Sequence, residues 1–293
     1  MTRRSVLLFP VAAAVATAPK AFRYSVCNET FQNTPFLEQC RLAKRIGYTG
    51  IEIMPATLDN IPPRLSAAQR AEIRRIMAGE GIAFVGLHNL LSAPAGLHAT
   101  TADASIYRRT WEHVRDLATL CGDLGGGVMV FGSGKQRNAE SGMSPAEAVR
   151  RLTEGLAGVA AHARSCGATI LIEPLAPHLS NIMNTLEEAS AIVRQAGSDT
   201  VRTIFDVHNT AAEKVNAAAL VARYRDVIRH VHLNEMDGKR PGTGSYDFAA
   251  LLRALRDVRY EGWLSLEVFD FAPSGEEVAR RAFEYLKEQE SGA

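Results

Sequence analysis

Short runs of β-branched and aromatic residues alternate along this chain with longer stretches whose apolar positions recur at helical spacing. That alternation is the pattern of a parallel sheet whose strands are joined by crossover helices. The strand-like runs cover 22–27, 50–54, 83–88, 127–131, 169–173, 202–206, 228–232 and 263–268. Helical stretches fall over 35–45, 66–79, 104–124, 145–166, 186–195, 212–224, 247–258 and 274–287. Eight such pairs, with no Gly-x-Gly-x-x-Gly after the first strand, predict an α/β chain closed as a (β/α)8 TIM barrel in one domain, not an open doubly wound sheet. Local punctuation agrees. Gly47, Gly81, Gly167 and Gly262 fall between a helix and the next strand, where a left-handed residue ends a helix cheaply. Ser144-Pro145-Ala146-Glu147 reads as a capped helix start, and Gly125-Gly126-Gly127 as a turn into the fourth strand.

The first twenty residues stand apart. Thr2-Arg3-Arg4-Ser5 precedes an apolar, alanine-rich stretch ending at Ala18, which has the charged start, short apolar middle and small-residue end of a twin-arginine export signal. The chain then divides into a signal over 1–20 and a barrel over 21–293, with the periplasm or export as its expected destination and the cytoplasm as the alternative. The apolar run is too short to span a bilayer, so no stable membrane insertion is expected. With 33 basic against 32 acidic residues, there is no electrostatic footprint for nucleic acid. Cys27, Cys40, Cys121 and Cys166 have no metal-ligand spacing and read as half-buried thiols.

In a barrel of this kind the active groups project from the carboxyl ends of the strands. The last four strands all finish on a potential metal ligand: Glu173, Asp206, His232 and Glu267. Each alone reads as readily as a solvated strand-end charge or a hydrogen-bonded core residue. Together, three carboxylates converging on one place repel one another unless a cation neutralises them. Three oxygens and one imidazole suit a fairly hard divalent ion, Mn²⁺ first, with Mg²⁺ or Co²⁺ as alternatives.

From about Phe22 to its end the chain resembles the xylose-isomerase-like barrels that include ketose 3-epimerases, hydroxypyruvate isomerases and inosose dehydratases. The resemblance is carried by Ile172-Glu173-Pro174-Leu175, Phe205-Asp206-Val207-His208, His230-Val231-His232-Leu233-Asn234-Glu235 with Pro241-Gly242-Thr243-Gly244, and Ser265-Leu266-Glu267. Gly86-Leu87-His88-Asn89 resembles the family's third strand end. The resemblance implies that Glu173 and Glu267 are both metal ligands and catalytic proton carriers, on opposite faces of the substrate carbon. It implies that Asp206 and His232 fix an ion that holds the substrate oxygens and stabilises an enediolate. The substrate it implies is a small sugar or keto-sugar. Leu179 stands where the 3-epimerases carry a second glutamate, Ala176 where an asparagine often follows, and His208 two residues past the aspartate instead of three.

Among the polar loop residues, His88, His208, Glu235 and Lys239 are the candidates for substrate contact, with Glu29, Asn89, Lys135 and His178 behind them. His230, one layer below His232 by strand alternation, reads as a hydrogen-bonded core histidine. The function expected is a metal-dependent sugar isomerase or epimerase acting by proton transfer. A lyase on keto-sugars is the near alternative, a sugar-binding barrel without turnover the distant one, and the sequence leaves room for a homo-oligomer. If the leader works as read, replacing both Arg3 and Arg4 by Lys leaves the protein in the cytoplasm of its native host, which cell fractionation checks.

Overall fold

Strand and helix alternate throughout the computed structural model, which describes residues 21–292. The export signal expected over 1–20 lies outside the described residues. The order is β1 (Arg23–Cys27), α1 (Phe36–Ile46), β2 (Gly50–Ile53), α2 (Ala67–Gly79), β3 (Ala83–His88), α3 (Ala104–Leu124), β4 (Gly127–Phe131) and α4 (Pro145–Ser165). It continues with β5 (Ala168–Ile172), α5 (Leu186–Ala196), β6 (Val201–Asp206), α6 (Ala217–Tyr224), β7 (Ile228–Leu233), α7 (Phe248–Asp257), β8 (Trp263–Leu266) and α8 (Gly275–Ser291). The strands pair in chain order, all parallel, and β1 closes against β8. The result is the single (β/α)8 barrel that the alternation predicts. No helix among the described residues is long and apolar enough to cross a membrane.

Alternation along each strand divides its side chains between two cores. Outward residues such as Ile51, Leu87, Met129, Ile170, Phe205 and Leu264 meet the apolar faces of the helices. Inside the barrel the filling is split. Val130, Leu171 and Ile204 form a small apolar cluster on the β4–β6 side. On the opposite side Ser25 hydrogen-bonds Ser265, and Glu52 meets His230. That polar half lies directly below the mouth, and it supports the site.

Helix starts follow their caps. Ser66 with Gln69 and Thr185 with Glu188 make reciprocal capping boxes. Ser144 accepts from Glu147 N as expected, but the Glu147 carboxylate turns to Arg150 and Arg151 instead of reaching back. The sixth helix begins five residues later than its pattern suggests: Asn216 caps it through Ala219 N, and His208–Ala212 winds as a 3-10 turn. Gly262 is not left-handed. The left-handed residue after α7 is Arg259 (φ 54°), whereas Gly262 is required by closeness, since a Cβ there would fall 2.1 Å from the Tyr260 hydroxyl. Three of the four cysteines, Cys27, Cys40 and Cys121, are fully buried and all four are free thiols, more enclosed than the half-buried state expected.

Two glycines on α4 separate packing from propensity. A Cβ on Gly155 would fall 1.8 Å from the Trp111 ring, which stacks on Phe131 of β4 at 5.7 Å. Gly158, one turn on, is exposed with nothing near. Gly158→Ala is expected to stabilise the protein by about 0.5–1 kcal/mol through helix propensity. Gly155→Ala is expected to destabilise it by about 1–3 kcal/mol through overpacking. Urea unfolding of the two variants beside the parent reads the opposite signs.

Candidate metal and proton-transfer site

The four strand-end residues meet at the carboxyl mouth of the barrel. Asp206 closes β6 and His232 lies near the end of β7, while Glu173 and Glu267 are the first residues past β5 and β8. One ligand atom from each lies within 4.8 Å of the others. His232 Nδ1 is 3.0 Å from Glu267 Oε2, 3.7 Å from Asp206 Oδ2 and 3.9 Å from Glu173 Oε1. Such edges suit donors set about 2.1 Å from a common octahedral centre. Asp206 Oδ1 and His232 Nδ1 are both buried without a hydrogen-bond partner, an arrangement that costs stability unless something between them is coordinated. The donor set therefore fits a divalent cation. Gly132, just past β4, leaves the room: a Cβ there would sit 1.8 Å from Glu173 Oε2.

Electrostatics points the same way. Burial, with the Asp206 and Glu267 carboxylates alongside, pushes the Glu173 carboxyl well above its usual range. Burial opposes charge on Asp206 too, but the His232 ring beside it holds that carboxyl below its usual value. Burial would lower the His232 ring, yet Glu267 and Glu52 carry it well above an ordinary histidine. Without added positive charge, the cluster can keep its carboxylates ionised only by drawing protons onto its neighbours.

Three supporting residues escaped the sequence reading. Glu52 on β2, fully buried, accepts from His230 Nε2 at 2.7 Å and from His232 Nε2 at 3.2 and 3.3 Å. Burial alone would raise its carboxyl, but the two histidines hold it well below the carboxylate range. It fixes the His232 tautomer, so that Nδ1 faces the cluster. Asn209 donates through Nδ2 to Glu173 Oε1 at 3.2 Å and Asp206 Oδ2 at 3.1 Å, and accepts from Ala176 N. Arg137, also fully buried, donates to the Phe131 and Glu173 carbonyls at 2.8 and 2.5 Å and ties the tips of β4 and β5 together. The alternation of β2 placed Glu52 inward, and that was the one available signal; loop residues such as Asn209 and Arg137 gave none.

A cavity of about 410 Å³ opens over the cluster, with Glu173, Glu267 and Asn209 in its floor and Leu175, Leu179 and Phe269 among its walls. Of the substrate candidates, His208 lines it, donating through Nδ1 to the Met236 carbonyl at 2.8 Å, as do Asn89, Lys135 and His178. His88 does not line it. It is buried beside the cluster, with Nε2 2.7 Å from Glu29 Oε1 and Nδ1 3.7 Å from Glu52 Oε1. Glu235 is also turned away: its carboxylate accepts from Gly242 N and Tyr246 N and pins its own loop. Lys239 is half exposed and pairs with Asp237 at 2.9 Å. His230 is the buried, hydrogen-bonded histidine expected, with Glu52 as its partner.

Residues 40–289 match the family model described as xylose isomerase-like TIM barrel. The chain is 29% identical over 189 residues to L-ribulose 3-epimerase of Mesorhizobium japonicum, covering 63% of this chain and 62% of that protein. It is 34% identical over 124 residues to D-psicose 3-epimerase of Enterocloster bolteae, covering 42% of this chain and 40% of that protein. The chain thus spans less than two thirds of the length of either relative. In fold it superposes on the apo 3-keto-D-glucoside 4-epimerase of E. coli with a TM-score of 0.80 at 20% identity, covering 92% of this chain and all of that one.

The His88–Glu29 pair has a measurable signature. Burial would lower the His88 ring, but Glu29 and then Glu52 raise it to about 9. A ring raised from about 6.5 in the unfolded chain stabilises the fold fully below that value. The contribution declines above it and is gone once pH passes the folded value. Unfolding free energy in the presence of EDTA is therefore expected to fall between pH 6.5 and 9 in the parent. In His88→Gln the fall should be markedly shallower, as urea titrations across that window test.

Proposed function

Because the chain belongs to the xylose isomerase-like TIM barrel family, we propose that it is a divalent-metal-dependent isomerase or epimerase of ketoses or related hydroxy-ketones. The observation that carries this reading is that Glu173 and Glu267 belong to one four-donor cluster and also line one cavity. They reach it from β5 and β8, three strands apart on an eight-stranded barrel, and so from different sides of a bound molecule. The relatives support the substrate class: several are named as ketose 3-epimerases, and one neighbour was solved in the presence of D-fructose.

A divalent cation held by Glu173, Asp206, His232 and Glu267, with Mn²⁺ the best match to the donors, would supply positive charge beside the carbonyl and hydroxyl oxygens of the substrate. The remaining work falls to the chain. One glutamate carboxylate takes the proton from the carbon next to the carbonyl and becomes a carboxylic acid, leaving an enediolate. If the other glutamate returns a proton to the opposite face of that carbon, the product is the epimer. If a proton returns to the neighbouring carbon, aldose and ketose interconvert. Asn209 orients the Glu173 and Asp206 carboxylates through its amide. Glu52 and Arg137 hold His232 and the Glu173 backbone in register. Leu175, Leu179 and Phe269 give the cavity its apolar surface.

Glu173→Gln and Glu267→Gln each keep an oxygen ligand and remove a base. Each is expected to bind Mn²⁺ more weakly but measurably by calorimetry, with turnover reduced by roughly 10²- to 10⁴-fold. In deuterated water one of them should still exchange the α-hydrogen of the ketose without forming product. A double variant turning over at the parent rate would defeat the mechanism.

A further inference from the structure

The four-donor cluster is built on β5 to β8, and a second group of donors stands on the remaining arc of the mouth. Cys27 closes β1, Glu29 follows it on the 3-10 turn Asn28–Phe31, and His88 closes β3. One ligand atom from each lies within 4.8 Å of the others. None of the three belongs to the four-donor cluster, and none lines the cavity over it. Cys27 is fully buried and His88 is 1% exposed. The Glu29 side chain, 17% exposed, marks the side from which an ion would enter. His88 Nε2 meets Glu29 Oε1 at 2.7 Å, yet His88 Nδ1 and Glu29 Oε2 are both buried with no hydrogen-bond partner. Among the described residues no lysine or arginine pairs with Glu29 or with Glu52, whose Oε1 is 3.7 Å from His88 Nδ1.

A buried cysteine that serves only as packing behaves as a small apolar residue and sits among apolar neighbours. The Cys27 thiol stands instead among Glu29, Glu52, His88 and His232. Buried polar atoms left without partners cost stability unless something between them is bound. A thiolate, an imidazole and a carboxylate form a softer set than the three carboxylates and imidazole of the first cluster, and suit Zn²⁺ better than Mn²⁺ or Mg²⁺. We infer that Cys27, Glu29 and His88 are a second metal site, for a borderline divalent ion such as Zn²⁺, separate from the four-donor cluster and independent of the proton-transfer reading. On binding, the ion takes a lone pair from each donor, the thiol proton leaves to solvent and the His88–Glu29 hydrogen bond opens. Glu52, which approaches both His88 and His232, lies between the two sites, whose histidine rings are 6.2 Å apart. Its buried charge offsets the repulsion between two neighbouring cations.

Co²⁺ serves as the probe, because a thiolate ligand gives it a near-ultraviolet sulfur-to-cobalt charge-transfer band that oxygen and nitrogen donors do not. The full-length protein, freed of metal with EDTA, is dialysed against Co²⁺ and analysed for bound metal and for that band. The parent is expected to hold about two ions per chain, with the band present. Asp206→Ala should lose one ion and keep the band, whereas Cys27→Ser should lose one ion and the band together. Cys166→Ser removes the thiol 3.6 Å from His162 Nε2 and should change neither. Glu29→Gln, a substitution at the partly exposed member, should weaken the band-forming site about tenfold or more. Zn²⁺ should displace the band-forming Co²⁺ and Mn²⁺ should not. One ion per chain without the band, or a band that survives Cys27→Ser, overturns the second site. A single ion whose band survives Asp206→Ala supports it and sinks the four-donor centre instead.

Discussion

The carboxylate of Glu52, fully buried between β2 and β7, is the contact on which the rest of the mouth depends. It takes hydrogen bonds from His230 and His232 at once, and so sets which nitrogen of His232 carries its proton and which faces the cluster. A buried charge with two partners is tolerated. Left with none, it costs several kcal/mol, about 3–5 when one member of a buried pair is removed. The polar half of the barrel interior is therefore best understood as support: Glu52 and His230 occupy a layer that could hold aliphatic side chains, as Val130, Leu171 and Ile204 do opposite. Stability is given up there so that His232 has one orientation.

Above that layer the constraint becomes one of charge. Three carboxylates and an imidazole crowd within 4.8 Å, with Asp206 Oδ1 and His232 Nδ1 left without hydrogen bonds. Among the described residues His232 alone pairs with these carboxylates, and no lysine or arginine does. Arg137, the one buried guanidinium nearby, spends its donors on the carbonyls of Phe131 and Glu173, and Asn209 contributes neutral donors only. The cluster's geometry is held without a lysine or arginine against its carboxylates, an arrangement suited to a cation. Lys135 is the one lysine among the residues that line the cavity.

How far the sequence reached can be seen element by element. The eight strands and the four residues that cluster at their ends were legible because both depend on short-range regularities. A period of two places Glu173, Asp206, His232 and Glu267 at inward strand tips, and a period near 3.6 marks the helices between them. Caps such as Ser66 with Gln69 were also written locally. The start of α6 was missed because Ala212 and Ala217 have equal helix propensity, and only the Asn216 side chain closing on Ala219 N decides between them.

Partnership between distant residues was not legible. Glu52 and His232 are brought together across the barrel by closure of the sheet, and nothing in either neighbourhood names the other. For the same reason Glu235 and Lys239 read as substrate contacts from their place after β7, yet the fold turns the first onto Gly242 N and Tyr246 N and leaves the second in solvent beside Asp237. Lys135 reads as one loop cation among several, and only the path of the loop after β4 brings it to the cavity. The sequence by itself determined the barrel and the four strand-end residues that gather at its mouth, since periodicity and strand-end chemistry are properties of neighbours along the chain. Tertiary structure decided which loop groups line the cavity and which side chains hold the cluster still, because those are questions of direction and distance between segments that the chain order leaves open.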